Sequence, residues 1–599
     1  MRTFWLALSF LVLSVCASAQ EAQLALQYFR DGEFEKAAAL YEKLHKTQPD
    51  NDYFFDQYLE SLLMLERYEE AEDVVKKALK AQPKNVGLYV AYGNVLERQF
   101  KDIEAQAQYE RAIKKLPADR FAITKLASAF TRLTKYDYAI QAYERGAELL
   151  NDRDIFAYNL AELYRRKGDV AKMIENYLNS LDANPGRLNS IKSIFQRYLS
   201  PEDYQELQLQ LYARLQKNRD AVHYTELLSW VFIQKKDYFG ALRQVKALDR
   251  RLDENGARIF QLGRIAANDG DYDAAIEAFD YIVEEKGLAS TFYLEAKREA
   301  LRARRHKLVE GYAYSHEDLL QLEQAYESFL DEFGRNRITA PIIAELADLE
   351  ALYLNDLDKA IRLLEEMIDF PGIDPRIQAR AKLSLGDFYL MKGERWEATL
   401  LYSQVDKDFT EDLLGHEARF RNAKLAYYFG DFEWAQAQFK VLKASTSKLI
   451  ANDALEMSIF IMDNLGLDTT DRSLKLYADA DLLTFQNRFD EAFRKLDTLR
   501  MQFPDHALQD DVLYLKGRLY KKLQQYEKAA EMFAKVVEDH PDEIRADNAL
   551  FEWAELLEHQ LANPDKAMEL YEKLFIEYSG STFAVEARKR FRRLRGDNI

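Results

Sequence analysis

The sequence predicts an all-α fold, an α-solenoid of about fourteen stacked helical hairpins behind a cleaved leader. Three observations predict it. Residues of one kind recur every 34 places over the first half of the chain. Only 22 Gly and 11 Pro occur in 599 residues, against usual shares of about 7% and 5%, so turn residues are too few for a sandwich or barrel. The chain also holds 36 Tyr and 35 Phe, which is ample core material and excludes a long disordered chain. The balance of 83 Lys+Arg against 101 Asp+Glu, net −18, argues against a general nucleic-acid binder, which needs a basic footprint.

Residues 1–19 read as a signal peptide. Arg2 supplies the positive start, Phe4 to Val15 the apolar stretch, and Ala17-Ser18-Ala19 the small-residue cleavage site. The stretch is shorter than the roughly 20 residues that span a bilayer, and no later run reaches that length. Lipidation at Cys16 would need Gly or Ala where Val15 stands, so the expectation is cleavage before Gln20 and an exported mature chain without cysteine. That suits an oxidising compartment.

Residues 20–289 carry the register. Pro49, Pro83 and Pro117 lie 34 residues apart, and Pro185 two periods on, with Asn151 between. Ala37, Ala71, Ala105 and Ala139 keep the period, as do Tyr41, Val75, Tyr109, Tyr143 and Tyr177. A weaker unit with Tyr198 and Leu211 follows. The period then returns as Ala241 with Val245 and as Ala275 with Phe279. Residues 290–340 are too long for one unit and form an extended irregular helical unit with the basic cluster Arg302, Arg304, Arg305, His306 and Lys307. Residues 341–449 resume as a middle array, with Gly386, Tyr389, Ala398 and Tyr402, then Ala423, Ala435 and Phe439. Residues 450–472 hold Asn464-Leu465-Gly466 and Asp468-Thr469-Thr470-Asp471, which predict an irregular connection. Residues 473–580 form a C-terminal array, with Ala492, Leu496, Pro504, Gly517, Tyr520, Ala529, Phe533, Pro541, Ala554, Ala567 and Tyr571. Residues 581–599 make a basic helix and tail. Phe583, Ala587, Phe591 and Leu594 recur on one side of that helix, as in a cap over the last core face.

This pattern resembles the tetratricopeptide repeat, a helix–turn–helix unit of 34 residues. The clearest unit is 86–119, with Gly93, Leu96, Ala105, Tyr109, Ala112 and Pro117. Small residues such as Gly93 and Ala105 let the two helices approach, the aromatic fills the wedge between hairpins, and the proline ends the second helix. The repeat-packing set is Ala37, Tyr41, Ala71, Gly93, Ala105, Tyr109, Ala139, Tyr143, Ala275, Phe279, Gly386, Ala398, Ala529 and Phe533. The junctions Phe503-Pro504-Asp505, His540-Pro541-Asp542 and Tyr578-Ser579-Gly580-Ser581 are similar to those of exported bacterial tetratricopeptide proteins of the outer-membrane-assembly and Tol–Pal coordinator type. That similarity covers about 473–595.

Chemistry is sparse. The eight His fall at no ligand spacing, and no G-x-x-x-x-G-K-[ST] or G-x-S-x-G occurs. Asp269-Gly270-Asp271-Tyr272-Asp273 imitates a calcium loop, but Ala274 and Asp280 stand where Gly and Glu are needed. It reads as the ordinary inter-helix turn, like Lys167-Gly168-Asp169, Lys392-Gly393-Glu394 and Phe429-Gly430-Asp431. No catalytic, metal or cofactor site is expected.

The resemblance implies that the first helix of each hairpin lines an inner groove. Its open positions include Tyr53, Asn94, Arg98, Phe121, Arg132, Tyr158, Arg165, Arg166, His223, Trp230 and Arg264. The corresponding face of the C-terminal half offers Arg380, Asp387, Tyr427, Tyr428, Tyr514, Arg518 and Lys522. Asn94 stands where some family members hold a peptide carboxylate, with Ser128 and Thr131 in the next unit. Aromatics beside arginine are what protein interfaces favour. The expected function is a non-catalytic protein-interaction scaffold of the bacterial cell envelope, periplasmic or outer-membrane associated, binding proteins or peptides. Two alternatives are a glycan or peptidoglycan adaptor and an outer-membrane assembly or secretion accessory factor. Arg588 to Arg595 offer a peripheral contact for an anionic membrane surface.

Overall fold

The computed structural model describes residues 20–49, 51–311, 314–445, 448–465 and 471–597. The leader 1–19, with Cys16, lies outside them. Among the described residues every regular element is a helix, and within each unit most consecutive helices pack on one another. The chain divides into two compact units, Met1–Ala296 and Lys297–Ile599.

In the first unit the turn between the two helices of a hairpin repeats with the sequence period. Gly32, Glu66, Phe100, Thr134, Gly168, Lys236 and Gly270 all have positive φ, between 57° and 83°. They are spaced by 34 residues, with one place skipped at Glu202. There the helix Leu188–Tyr198 ends on extended Leu199, and Pro201 precedes the next helix. The left-handed residue reverses the chain. Where Asp follows, it caps the second helix. Asp169, Asp237 and Asp271 accept from the backbone N–H groups of Lys172, Gly240 and Ala274 at 3.1, 2.7 and 3.1 Å. The segment resembling a calcium loop is therefore this turn. Its Asp271 is the cap, and Asp269 accepts from the Tyr238 hydroxyl.

The small-residue positions lie under the aromatics sixteen residues on. A methyl added at Gly93 would sit 2.3 Å from the ring of Tyr109, at Gly263 2.7 Å from Phe279, at Gly386 2.5 Å from Tyr402 and at Gly517 2.6 Å from Phe533. Real carbon contacts do not reach such distances, so Gly is required for the two helices to close on the ring. Ala37, Tyr41, Ala71, Ala105, Ala139, Tyr143, Ala275, Ala398 and Ala529 are buried with them. Tyr109 also meets the next hairpin, 5.6 Å from Phe130 and 5.2 Å from Tyr138. The ring thus joins its own hairpin to its neighbour, as the wedge reading expects.

The second unit is less regular. The span 290–340 contains two long helices, Tyr293–Gly311 and His316–Phe333, the latter opened by a capping box between Ser315 and Asp318. The helix Ala340–Leu349 ends in a π-helical turn, Glu350–Leu354. The hairpins Pro375–Lys392 with Arg395–Asp408 and Leu413–Tyr428 with Phe432–Ser445 follow. The span 450–472, expected as an irregular connection, instead places 450–465 in an eighteen-residue helix, Lys448–Leu465. Ala454, Phe460 and Ile461 of that helix enter the core. Asn464, expected in a turn, donates its side-chain amide to the Phe460 carbonyl at 3.0 Å, while its buried Oδ1 has no partner among the described residues. Residues 466–470 lie outside the description. Arg472–Phe485 packs back on Leu413–Tyr428, so the inserted helix stands between two hairpins. Three further hairpins lead to Ala584–Arg595. There Ala584 and Ala587 are buried and Phe591 meets Phe575 at 5.5 Å, the packing of a cap.

Candidate functional site

The first-helix face of the N-terminal unit is a chain of tyrosine, carboxylate and cation contacts. Buried Tyr hydroxyls donate to carboxylates on that face: Tyr109 to Glu97 at 3.0 Å, and Tyr177 to Glu162. Glu97 in turn pairs with Lys135 of the next hairpin, and Glu162 with Arg165 at 2.9 Å. Burial is the main cause that pushes these phenols far above the ordinary tyrosine range, with the carboxylates adding to it. They remain neutral donors. First helices of alternate hairpins also meet: Lys125 pairs with Asp52, and Arg132 with Asp56 at 3.2 Å.

The predicted groove residues separate into three groups. Tyr53, Arg98, Phe121, Arg132, Arg166, Arg264 and Arg518 are exposed, Phe121 to 77%. Asn94, Tyr158, Arg165, His223 and Trp230 are half-buried by their neighbours. Tyr158 meets Tyr177 edge-on at 5.5 Å and lies under Arg187, while Arg165 lies 4.4 Å from the ring centre of Tyr198. Trp230 packs on Tyr204 at 5.8 Å, and His223 sits against Tyr224 with Asp182 3.6 Å away. The third group is a correction. Tyr427 and Tyr514 are buried, as is Tyr428, and do not belong to an open surface. Phe432 and Phe460 enclose Tyr427, and Phe533 and Arg545 enclose Tyr514. Arg380 and Lys522 are exposed, and Asp387 is half-buried.

Asp387 belongs to a feature that sequence reasoning missed, a cavity of about 440 Å³ in the second unit. Its floor is polar. Tyr402 donates to Asp387 at 2.6 Å, and Arg421 reaches Asp387 at 3.2 Å and Glu417 at 2.7 Å. Burial raises the Asp387 carboxyl above its ordinary value although Arg421 opposes it. Its walls are apolar, from Leu390, Phe420, Tyr428, Ile450 and Phe485. Only the spacing of 34 residues from Asp387 to Arg421 hinted at the pair.

At the C-terminus most of the basic side chains are engaged. Arg590 reaches Glu555, Glu558 and Glu586 at 2.9, 3.4 and 3.4 Å, and Arg593 reaches Glu558 at 2.6 Å. Arg592 and Arg595 hold Asp597 at 3.3 and 2.5 Å. Among the described residues no group of three or more His, Cys, Asp or Glu could hold a metal, and no helix is long and apolar enough to cross a membrane.

Sequence profiles of the tetratricopeptide repeat match residues 22–86, 59–123, 156–187 and 484–550. The chain therefore carries tetratricopeptide repeats, in both compact units. It is 25% identical over 162 residues to the TPR repeat-containing protein MJ1428 of Methanocaldococcus jannaschii, across 26% of this chain and 28% of that protein. Among solved structures, Naa15/Naa10 bound to HypK-THB aligns over 96% of both chains at 15% identity, with a TM-score of 0.26. Yeast Tom70 aligns over 97% of this chain and 95% of its own, at 12% identity, with a TM-score of 0.25.

Proposed function

We propose that the protein is an exported, non-catalytic scaffold of the bacterial cell envelope that holds partner proteins on the first-helix faces of its hairpins. The observation that carries this reading is the exposure of Phe121, Tyr53 and Arg166 on a first-helix face whose carboxylates Asp52, Asp56, Glu97 and Glu162 are already paired with cations. A large exposed aromatic beside arginine loses water readily on contact and gains packing area, the property of interface hot spots. The paired carboxylates and cations keep that face rigid, so a partner meets a preorganised surface. Tetratricopeptide profiles across both units support a role in protein interaction. The export reading rests on residues 1–19 of the sequence.

In-cell crosslinking of tagged wild type and of Phe121→Ala/Arg166→Glu, followed by mass spectrometry, tests this. Envelope proteins captured by wild type and lost with the double variant are the expected result. Identical captures from both would remove this face from the function. Sequencing of the mature N-terminus should begin at Gln20; retention of Met1 would overturn export by cleavage.

A further inference from the structure

We infer that the cavity of the second unit binds a partner peptide segment that inserts an apolar side chain next to a lysine or arginine of its own. The inference rests on the scaffold reading and adds the chemistry of the partner. The cavity lies between Pro375–Lys392, Leu413–Tyr428 and the inserted helix Lys448–Leu465. One end is closed. Phe485 lines it, and the next residue, Gln486, donates to the Leu390 carbonyl at 3.0 Å. A pocket of this volume with apolar walls and few polar groups is the common form of a ligand site.

The lip argues for a segment of chain over a free small molecule. Leu413 and Leu449, both lining the cavity, are 53% and 79% exposed. They extend the apolar surface from the interior out to solvent. A ligand contained within the cavity would leave that lip wet, whereas a chain crossing it would cover both leucines. Scattered single leucines carry no such meaning, but two on the rim of one apolar cavity form a continuous patch.

The charges argue for a basic flank. Glu417 and Asp387 both hold Arg421, so that cation is neutralised within the floor. Lys424 lies 5.5 Å from the ring centre of Tyr428. Asp453 is the remaining carboxylate, on the exposed side of the inserted helix. Burial and the neighbouring Glu456 raise its carboxyl above the ordinary value, against the pull of Lys424. Three carboxylates face two cations, which leaves one negative charge in excess. A lysine or arginine next to the inserted side chain would meet Asp453, while an acidic segment would meet repulsion.

The test selects a phage-displayed random dodecapeptide library on the immobilised full chain. The enriched peptides are synthesised and their affinities measured by fluorescence anisotropy. The expected consensus has a large apolar residue within two positions of Lys or Arg. Leu449→Glu, exposed and so harmless to the fold, should weaken binding at least tenfold. Asp453→Lys should weaken it at least fivefold. Acidic or charge-free consensus peptides, affinities unmoved by both variants, or no enrichment would each overturn the inference. Peptides that lose affinity with Phe121→Ala but not with Leu449→Glu would also overturn it, while leaving the scaffold reading intact. Loss of partner capture in the crosslinking experiment is the separate failure of that reading.

Discussion

The regular N-terminal unit and the interrupted middle of the second unit use the same hairpin and end with different surfaces. In the first, left-handed turns recur at one spacing from Gly32 to Gly270, with one omission. The first-helix carboxylates Asp52, Asp56, Glu97 and Glu162 each find a cation on their own or a following hairpin, and alternate hairpins are bridged by Lys125–Asp52 and Arg132–Asp56. Ion pairs recur along the first-helix face, among exposed cations such as Arg98, Arg166 and Arg264. In the second, the helix Lys448–Leu465 stands between two hairpins and the following helix packs back on Leu413–Tyr428. That break encloses a cavity beside the same tyrosine–carboxylate–cation motif. Period builds a surface, and interruption of the period builds a pocket.

The largest expected effects probe the shared packing motif. Tyr109→Ala and Tyr402→Ala should each destabilise their unit by about 3–5 kcal/mol, read by chemical denaturation. Because Tyr402 also holds Asp387, its loss should in addition abolish peptide binding at the cavity. If Tyr402→Ala binds the selected peptides as wild type does, the two regions differ less than their geometry says. Gly93→Ala and Gly386→Ala force a methyl against a ring and should cost about 1–3 kcal/mol each. A neutral result at Gly386 alone would mean that the interrupted region yields where the regular one does not.

A pH effect is expected in the second unit. Burial and the adjacent Asp510 push the Asp511 carboxyl up to about 7, although Arg545 lies 2.9 Å away. A carboxyl raised in the fold binds its proton more tightly there than in the unfolded chain. Its contribution is therefore full below about pH 4, where both states are protonated, and is lost as pH rises through about 7. The denaturation midpoint of this unit should fall between pH 5 and 8, and Asp510→Asn should flatten the slope. A midpoint that rises over that range would refute the assignment.

The smallest effect concerns the turns. Glu66, Phe100, Thr134 and Lys236 occupy left-handed backbone at φ 57–62°, which costs a side-chain-bearing residue about 1–2 kcal/mol. Lys236→Gly should stabilise the first unit by about 1 kcal/mol after the greater entropy of glycine in the unfolded chain is set against that gain. Gly270→Ala should do the reverse, as thermal melts of both variants would show.

These positions also mark what sequence does and does not display. Gly93 with Tyr109 and Gly386 with Tyr402 were legible because only Gly fits under the ring. The left-handed turns at Gly168 and Gly270 were legible because glycine announces them. The same turn at Phe100 or Lys236 was not, since its cost is small enough for any residue to bear within a packed hairpin. The inserted helix was obscured by Asn464 and Gly466, although Ile450, Ala454 and Ile461 already stood at helical spacing. Tyr427 and Tyr514 look like open surface in the sequence because part of their enclosure comes from Phe460 and Arg545, which lie beyond their own hairpins. Local pattern carries no information about such cover. The cavity was illegible for the same reason.

The recurrence of one turn geometry at a fixed spacing has a consequence for how this chain changes length. Excision of residues 86–119 would bring Asn85 to Arg120 with turn, proline and wedge aromatic still in phase, whereas a cut that is not a multiple of 34 residues would put every later aromatic opposite the wrong neighbour. Whole hairpins are the increments by which the first unit grows or shrinks, and the bridges between alternate hairpins are the contacts that each such edit would rewrite.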